Sequence, residues 1–441
     1  MTQPNFIAAP VSQQERIVLL DSLRGVAILG ILMMNIPYFG LPSVVTDDPS
    51  ILKEHGVDYY TWYIVNLVPE GTMRALFSLL FGAGILLFMG RQESRLAGVQ
   101  PADYFIRRQL WLLVFSLFDV YILLWVGDIL FDYGTLGIVA FAFRKMSPKK
   151  LMIAASVCLV LMLVRENVDL YRDKVMIQKG EQIAAMDTTV KKLTPKQNED
   201  LGAMEDFKEK SSIKGRMKRI ERSKQATLNS YAELYDFRTT AYMHGFIHYL
   251  YFGLWDVLIF MFLGMAFYKM GILTGGASTK VYAWLFVVGT GVGLWLCYIR
   301  LQPMIRTQFN LFDYTKTIKV EFYELSRTVR SLGFFGLLLL LYKSNVFKWL
   351  FALMRPVGQM AFTNYLGQSL ICGLFFYGIG FGKFGHLSRH EVYYVVWCVW
   401  IFQIILSHIW LRYFLYGPFE WAWRSLTYWK RQPFVKKRLA D

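Results

Sequence analysis

The sequence predicts an all-α fold, a polytopic transmembrane bundle of about ten spans with both termini in the cytoplasm. Three observations carry that reading. Of 441 residues, 55% are hydrophobic and only 18% are charged, and the mean hydropathy is +0.34. Apolar runs close to 20 residues recur along the chain, the length that a hydrocarbon core of about 30 Å requires. The basic residues gather in the short connections between those runs, which is a sidedness signal.

The spans are expected at 17–39, 72–90, 104–126, 128–144, 150–166, 246–270, 281–299, 328–343, 359–382 and 391–413. The first run is long enough to span and has no small-residue cleavage site after it, so it reads as a retained helix rather than a signal peptide. The fourth and eighth are short enough to be re-entrant. Arg91, Arg95, Arg107 and Arg108 follow the second span, and Arg144, Lys145, Lys149 and Lys150 follow the fourth. Lys343, Lys348 and Arg355 follow the eighth, and a basic tail closes the chain. Those segments belong to one side, the cytoplasm. The loop at 40–71 holds Asp47, Asp48, Glu54 and Asp58 against Lys53 and belongs to the other side.

Three regions follow. Residues 1–164 form an N-terminal membrane domain, 165–240 a polar extracytoplasmic insert, and 241–441 a C-terminal membrane domain with an interfacial tail. The insert has 16 basic and 13 acidic residues between Arg165 and Arg238, so most of the net +16 lies in the membrane part. Charge spread in that way speaks for a lipid bilayer as partner and against nucleic acid. Long loops translocate whatever their charge, so the insert does not upset the sidedness. The tail segment GPFEWAWRSLTYWKR, residues 417–431, suits a membrane–water interface. Cys158, Cys297, Cys372 and Cys398 stand singly in apolar runs and read as small buried side chains. The sequence leaves a homo-oligomer open.

Polar residues inside the spans are the candidates for function, because ionisable groups are costly in a bilayer. In LLDSLRGVAILGILMMN, residues 19–35, Asp21, Arg24 and Asn35 share one helix face. Asp21 and Arg24, three residues apart, can neutralise each other. Asn35 lies about 21 Å further along the axis at 1.5 Å per residue. The stripe reads either as an interhelix clamp or as a ligand-facing surface. In LLWVGDILFDYGTLG, residues 123–137, Asp128 can cap the next helix and Asp132 follows one turn later. Asp119 lies deeper in the preceding span and could join them as a general base or cation site. His244 and His248 sit one turn apart in HGFIH without a third ligand, so no metal site is expected. Gln359, Asn364 and Gln368 in GQMAFTNYLGQSL suit interhelical hydrogen bonds, and Arg355 just before them suits a phosphate.

DSLRGVAILGILMMN, FSLLFGAG at 77–84, LLWVGDIL at 123–130, GQMAFTNYLGQSLIC at 358–372 and IWLRYFLYGPFEWAWRSLT at 409–427 together resemble the bacterial YeiB family. That is an inner-membrane family with a C-terminal domain of unknown function. The family in turn looks distantly related to the transmembrane acyltransferases: bacterial O-acyltransferases of cell-surface sugars and the lysosomal heparan-α-glucosaminide N-acetyltransferase. The shared element is D-x-L-R-G-x-A in the first helix. The resemblance implies a multi-pass protein of the bacterial inner membrane. It would move an acyl group from cytoplasmic acyl-CoA to an extracytoplasmic glycan or lipid acceptor. In the O-acyltransferases the pattern ends in a catalytic histidine at the offset of Asn35, and asparagine cannot act as a base. YeiB-like sequences also carry a histidine seven residues before the glycine of GDIL, where this chain has Val120 beside Asp119. The resemblance thus implies Asp21, Arg24 and Arg355 at the donor, Asn35 at the developing oxyanion, and Asp128, Asp119 or His55 as base. A permease for a small solute and a non-catalytic membrane scaffold are the competing readings.

Overall fold

The computed structural model describes residues 17–96, 98–186 and 192–436, apart from the side chains of 247–249 and 252–254. The described chain is helical, with one isolated β-bridge between Phe414 and Val435. Among the described residues, six helical segments are long and apolar enough to cross a membrane: Val18–Gly40, Val57–Glu93, Pro148–Ala184, Thr279–Arg306, Tyr323–Lys343 and Arg389–Tyr413.

The described chain opens with α1 (Val18–Gly40), whose last turn contains Pro37. Two short helices, α2 (Ser43–Asp47) and α3 (Val57–Leu67), build the loop after it. The next helices are α4 (Thr72–Glu93), α5 (Gln100–Tyr121) and the short apolar α6 (Leu130–Ala142). A second run begins with α7 (Pro148–Ala184), started by Ser147 as cap and Pro148 in the first turn, as helix N-termini favour. Its partners α8 (Pro195–Ser211) and α9 (Ile213–Leu228) start at a Thr194–Gln197 capping box and at Ser212. The chain returns in α10 (Tyr231–Lys269). It continues through α11 (Thr279–Arg306), α12 (Leu311–Thr317) and α13 (Tyr323–Lys343). The last part is α14 (Lys348–Gln359), α15 (Ala361–Phe376), α16 (Arg389–Tyr413) and α17 (Pro418–Tyr428).

One hydrophobic cluster draws on α1, α4, α5, α6, α10 and α13 to α16, so the membrane helices pack as a single body. The polar segment 165–240 has no break at either edge, because α7 runs through residue 165 and α10 through residue 240. Between them α9 folds over the loop after α1, where Arg216 makes a buried ion pair with Asp48, and its last turn meets the loop after α15, where Gly378 donates its amide to the Thr227 carbonyl at 3.0 Å.

Three crossings depend on glycine. That of α4 with α10 does so through Gly82, set against the Met261 carbonyl, and Gly264, set against the Leu79 carbonyl. A Cβ on Gly25 of α1 would run into the Met354 carbonyl of α14, and one on Gly358 would run into the Asp21 carbonyl. Gly289 of α11 and Gly333 of α13 meet backbone to backbone in the same way. Close approach through small residues is how helices associate where lipid supplies no hydrophobic drive. The polar groups of α15 complete the frame. Asn364 donates to the Val357 carbonyl and to Ser407 Oγ, both at 3.1 Å. Gln368 donates to the Ile28 carbonyl at 3.2 Å and to Gln403 Oε1 at 3.0 Å. These are the interhelical bonds expected of them.

Candidate functional site

The first turns of α1 bring Asp21 and Arg24 to the wall of a cavity of about 250 Å³ that runs into the bundle among α1, α4, α5, α6, α15 and α17. Arg24 Nη1 donates to Asp21 Oδ1 at 3.0 Å, and Gln359 Nε2 donates to Asp21 Oδ2 at 3.4 Å. The helix spacing had implied the first contact; the second ties α1 to α14.

Three more arginines share this end: Arg91 from the last turn of α4, Arg108 from the third turn of α5, and Arg424 from α17. Asp21 and Glu420 are the carboxylates among the lining residues. Glu420 is occupied as a cap. Its Oε1 accepts the Phe362 and Thr363 amides at 2.7 and 3.1 Å, and its Oε2 accepts the Thr363 hydroxyl at 2.5 Å. The start of α15 has no side-chain cap of its own, so α17 supplies it. Burial raises the Glu420 carboxyl above the usual carboxylate range, and these donors oppose the rise. The tail expected to lie as an interfacial anchor therefore also forms a wall of the cavity, with Trp423 9% exposed.

Beyond the arginines the wall is mostly apolar, Phe77, Leu80, Phe81, Ile85 and Leu112, with Gln109 as a polar group in it. The cavity ends at Tyr133 and Tyr365, 1% and 3% exposed. Tyr133 shares a hydrogen bond of 2.9 Å with Ser78. Tyr365 donates to Asp128 Oδ1 at 3.1 Å and accepts the Ile129 amide at 3.1 Å. Asp128 Oδ2 accepts the Leu130 and Phe131 amides at 3.0 and 3.1 Å, so it caps α6 from just outside the helix. Its acidic neighbour is Asp119, fully buried, beside Asp128 and Ser369. Neither Asp119 oxygen meets a hydrogen-bond donor among the described residues. Asp132 lies inside α6 rather than paired with Asp128 along one helix, because α6 begins only at Leu130.

The remaining sequence candidates lie elsewhere. Asn35 is half-buried in α1, about 16 Å beyond Arg24 at 1.5 Å per residue, and does not line the cavity. His55 is exposed in the loop before α3. Arg355 is half-buried on α14 outside the lining, with Nε lacking a hydrogen-bond partner among the described residues. His244 is exposed and bonded to the Thr240 carbonyl at 2.8 Å; the His248 side chain lies outside the described ones. Among the described residues no three His, Cys, Asp or Glu side chains form a metal-ligand set.

A second polar cluster lies away from the cavity. Asp256 of α10 takes ion pairs from both Arg74 and Arg327, and Arg327 also reaches Glu324 at 2.9 Å. Arg330 reaches Glu70 at 3.0 Å. Sequence reasoning passed over Asp256, although a lone acid in the run LWDVLIF is the signal to look for.

The profile of a family of proteins of unknown function, DUF418, matches residues 267–430. The chain is 28% identical to the uncharacterized protein YxaH of Bacillus subtilis (strain 168), over 97% of this chain and 98% of the relative. A relative from Bacillus acidopullulyticus, an uncharacterized 39.9 kDa protein in the amylase 3′ region, is 24% identical over 98% of this chain and 99% of its own. No solved structure matches. With 30% identity to the uncharacterized protein YeiB of Escherichia coli (strain K12), over 96% of this chain and 99% of the relative, the chain belongs to the YeiB family.

Proposed function

We propose that the protein is an acyltransferase-like enzyme of the bacterial inner membrane. It takes an acyl group from cytoplasmic acyl-CoA and delivers it to a glycan or lipid acceptor on the other side. One observation carries this reading: a single cavity has an arginine wall at one end and a tyrosine held on a carboxylate at the other. Guanidinium groups bind phosphate oxygens in paired, fork-like geometry. Arg24, Arg91, Arg108 and Arg424 would hold the phosphates of the donor, with Asp21 and Gln359 fixing Arg24. The apolar walls suit a slender acyl-pantetheine arm. The thioester then lies near Tyr365, with Asp128 and Asp119 as the acidic groups behind it. In this arrangement the base is a carboxylate, which fits a chain that has Asn35 where the related O-acyltransferases keep a histidine.

The test uses detergent-solubilised protein, acetyl-CoA and longer acyl-CoA donors, with thiol release and CoA binding as readouts. Binding, with thiol release that rises on adding a glycan or lipid acceptor, is the expected result. A protein that neither binds nor cleaves any acyl-CoA overturns the reading. Solute uptake into proteoliposomes without thiol release would favour the permease instead.

A further inference from the structure

Asp128 and Asp119 do not line the cavity; Tyr365 does. The Tyr365 hydroxyl stands between the cavity and the carboxylate. It accepts one hydrogen bond from the Ile129 amide and gives its proton to Asp128 Oδ1, both at 3.1 Å. A hydroxyl has two lone pairs, so one remains to accept from a group in the cavity. Asp128 cannot turn away, because its other oxygen is held by the Leu130 and Phe131 amides. Asp128 is half-buried in the loop between α5 and α6, next to the exposed Gly127. The carboxylates that do line the cavity, Asp21 and Glu420, sit at the arginine end.

We propose that Tyr365 is a catalytic residue that relays a proton from the acceptor to Asp128; this rests on the acyl-transfer reading above. The acceptor oxygen or nitrogen attacks the thioester carbonyl carbon. A carbon–oxygen or carbon–nitrogen bond forms, and the carbon–sulfur bond breaks with its electron pair leaving on the CoA thiolate. The acceptor proton passes to Tyr365 Oη as the Tyr365 proton passes to Asp128 Oδ1. Tyr365 ends neutral, Asp128 ends protonated, and the thiolate takes a proton from solvent. Asp128 returns its own proton to water on the loop side. Proton transfer of this kind contributes about 10²–10⁴-fold to rate.

The experiment compares wild type, Tyr365→Phe, Asp128→Asn and the double variant, each as full-length protein in detergent. Thiol release from acetyl-CoA with an alkyl glucoside acceptor and equilibrium binding of CoA are both read. Each single variant should lose about 100-fold or more in turnover with CoA affinity unchanged within about twofold. The double variant should lose no more than either single one, because the two groups act as a unit. Tyr365→Phe turnover within about threefold of wild type overturns the relay while leaving acyl transfer standing. A wild type that neither binds CoA nor releases thiol overturns the acyl-transfer reading itself, and the relay with it. If Tyr365→Phe does not fold, 3-fluorotyrosine at position 365 replaces it. Its more acidic phenol should move the pH–rate profile to lower pH, and an unmoved profile overturns the relay.

Discussion

The Arg108 guanidinium lies over the ring of Trp423, 3.5 Å from its centre, while Trp423 Nε1 donates to the Arg108 carbonyl at 2.9 Å. One tryptophan thus holds both the backbone and the charge of α5 at the mouth of the cavity. A cation over an aromatic face gains about 0.5–2 kcal/mol. Arg108→Gln should weaken CoA binding about tenfold, the loss of one charge-assisted contact of about 1.5–3 kcal/mol being partly offset by the amide. Trp423→Leu should weaken it less, since the charge remains but is no longer held. Titration of CoA at low and high salt checks this. The deficit of Arg108→Gln should shrink as salt screens the mouth.

Gly358→Ala tests the crossing that carries Asp21. The added methyl would strike the Asp21 carbonyl and come within 2.7 Å of the Gly25 nitrogen, so α1 and α14 must part. Overpacking of this sort costs about 1–3 kcal/mol. The thermal midpoint in detergent should fall, and CoA affinity with it, because Asp21 orients Arg24. Gly90→Ala is the control. A Cβ there meets nothing within 4 Å, and replacing a helical glycine should hold or slightly raise the midpoint.

Glu420→Ala removes the acceptor for three donors at the start of α15. Losing a cap costs about 0.5–2 kcal/mol, and the Phe362 and Thr363 amides should exchange with deuterium faster while the middle of α15 stays protected. Equal protection in the variant would mean that α17 does not hold this turn.

What was legible in the sequence was local. The Asp21–Arg24 pair follows from i,i+3 helix geometry, and Asp128 as a cap follows from its place before an apolar helix. Arg91, Arg108 and Arg424 were visible too, but sidedness already accounts for arginines in such connections, so nothing singled them out as one wall. Their convergence depends on α17 folding back against α5 and α15. Tyr365 had no local mark at all. It is one of 26 tyrosines, distinguished only by a partner 237 residues away in the chain. Glu420 reads as an ordinary first-turn acid of α17, yet the helix end it caps belongs to α15.

Asp256 is the sharpest test of how the bundle carries charge. It is 4% exposed and faces two arginines, Arg74 and Arg327, with Glu324 as the second carboxylate of the group. Two positive and two negative groups balance. Asp256→Ala leaves one excess positive charge buried, and breaking a buried pair from one side costs about 3–5 kcal/mol. The variant should give a low yield of monodisperse protein and an early unfolding transition. Arg74→Met with Asp256→Leu restores neutrality, leaving Arg327 on Glu324. Replacing a buried pair by apolar groups of similar size is often near neutral, so the double variant should recover most of the lost midpoint. Size-exclusion profiles and thermal unfolding in detergent read both. Wild-type behaviour of Asp256→Ala, or a double variant worse than the single, would mean that the network does not hold α4, α10 and α13 together.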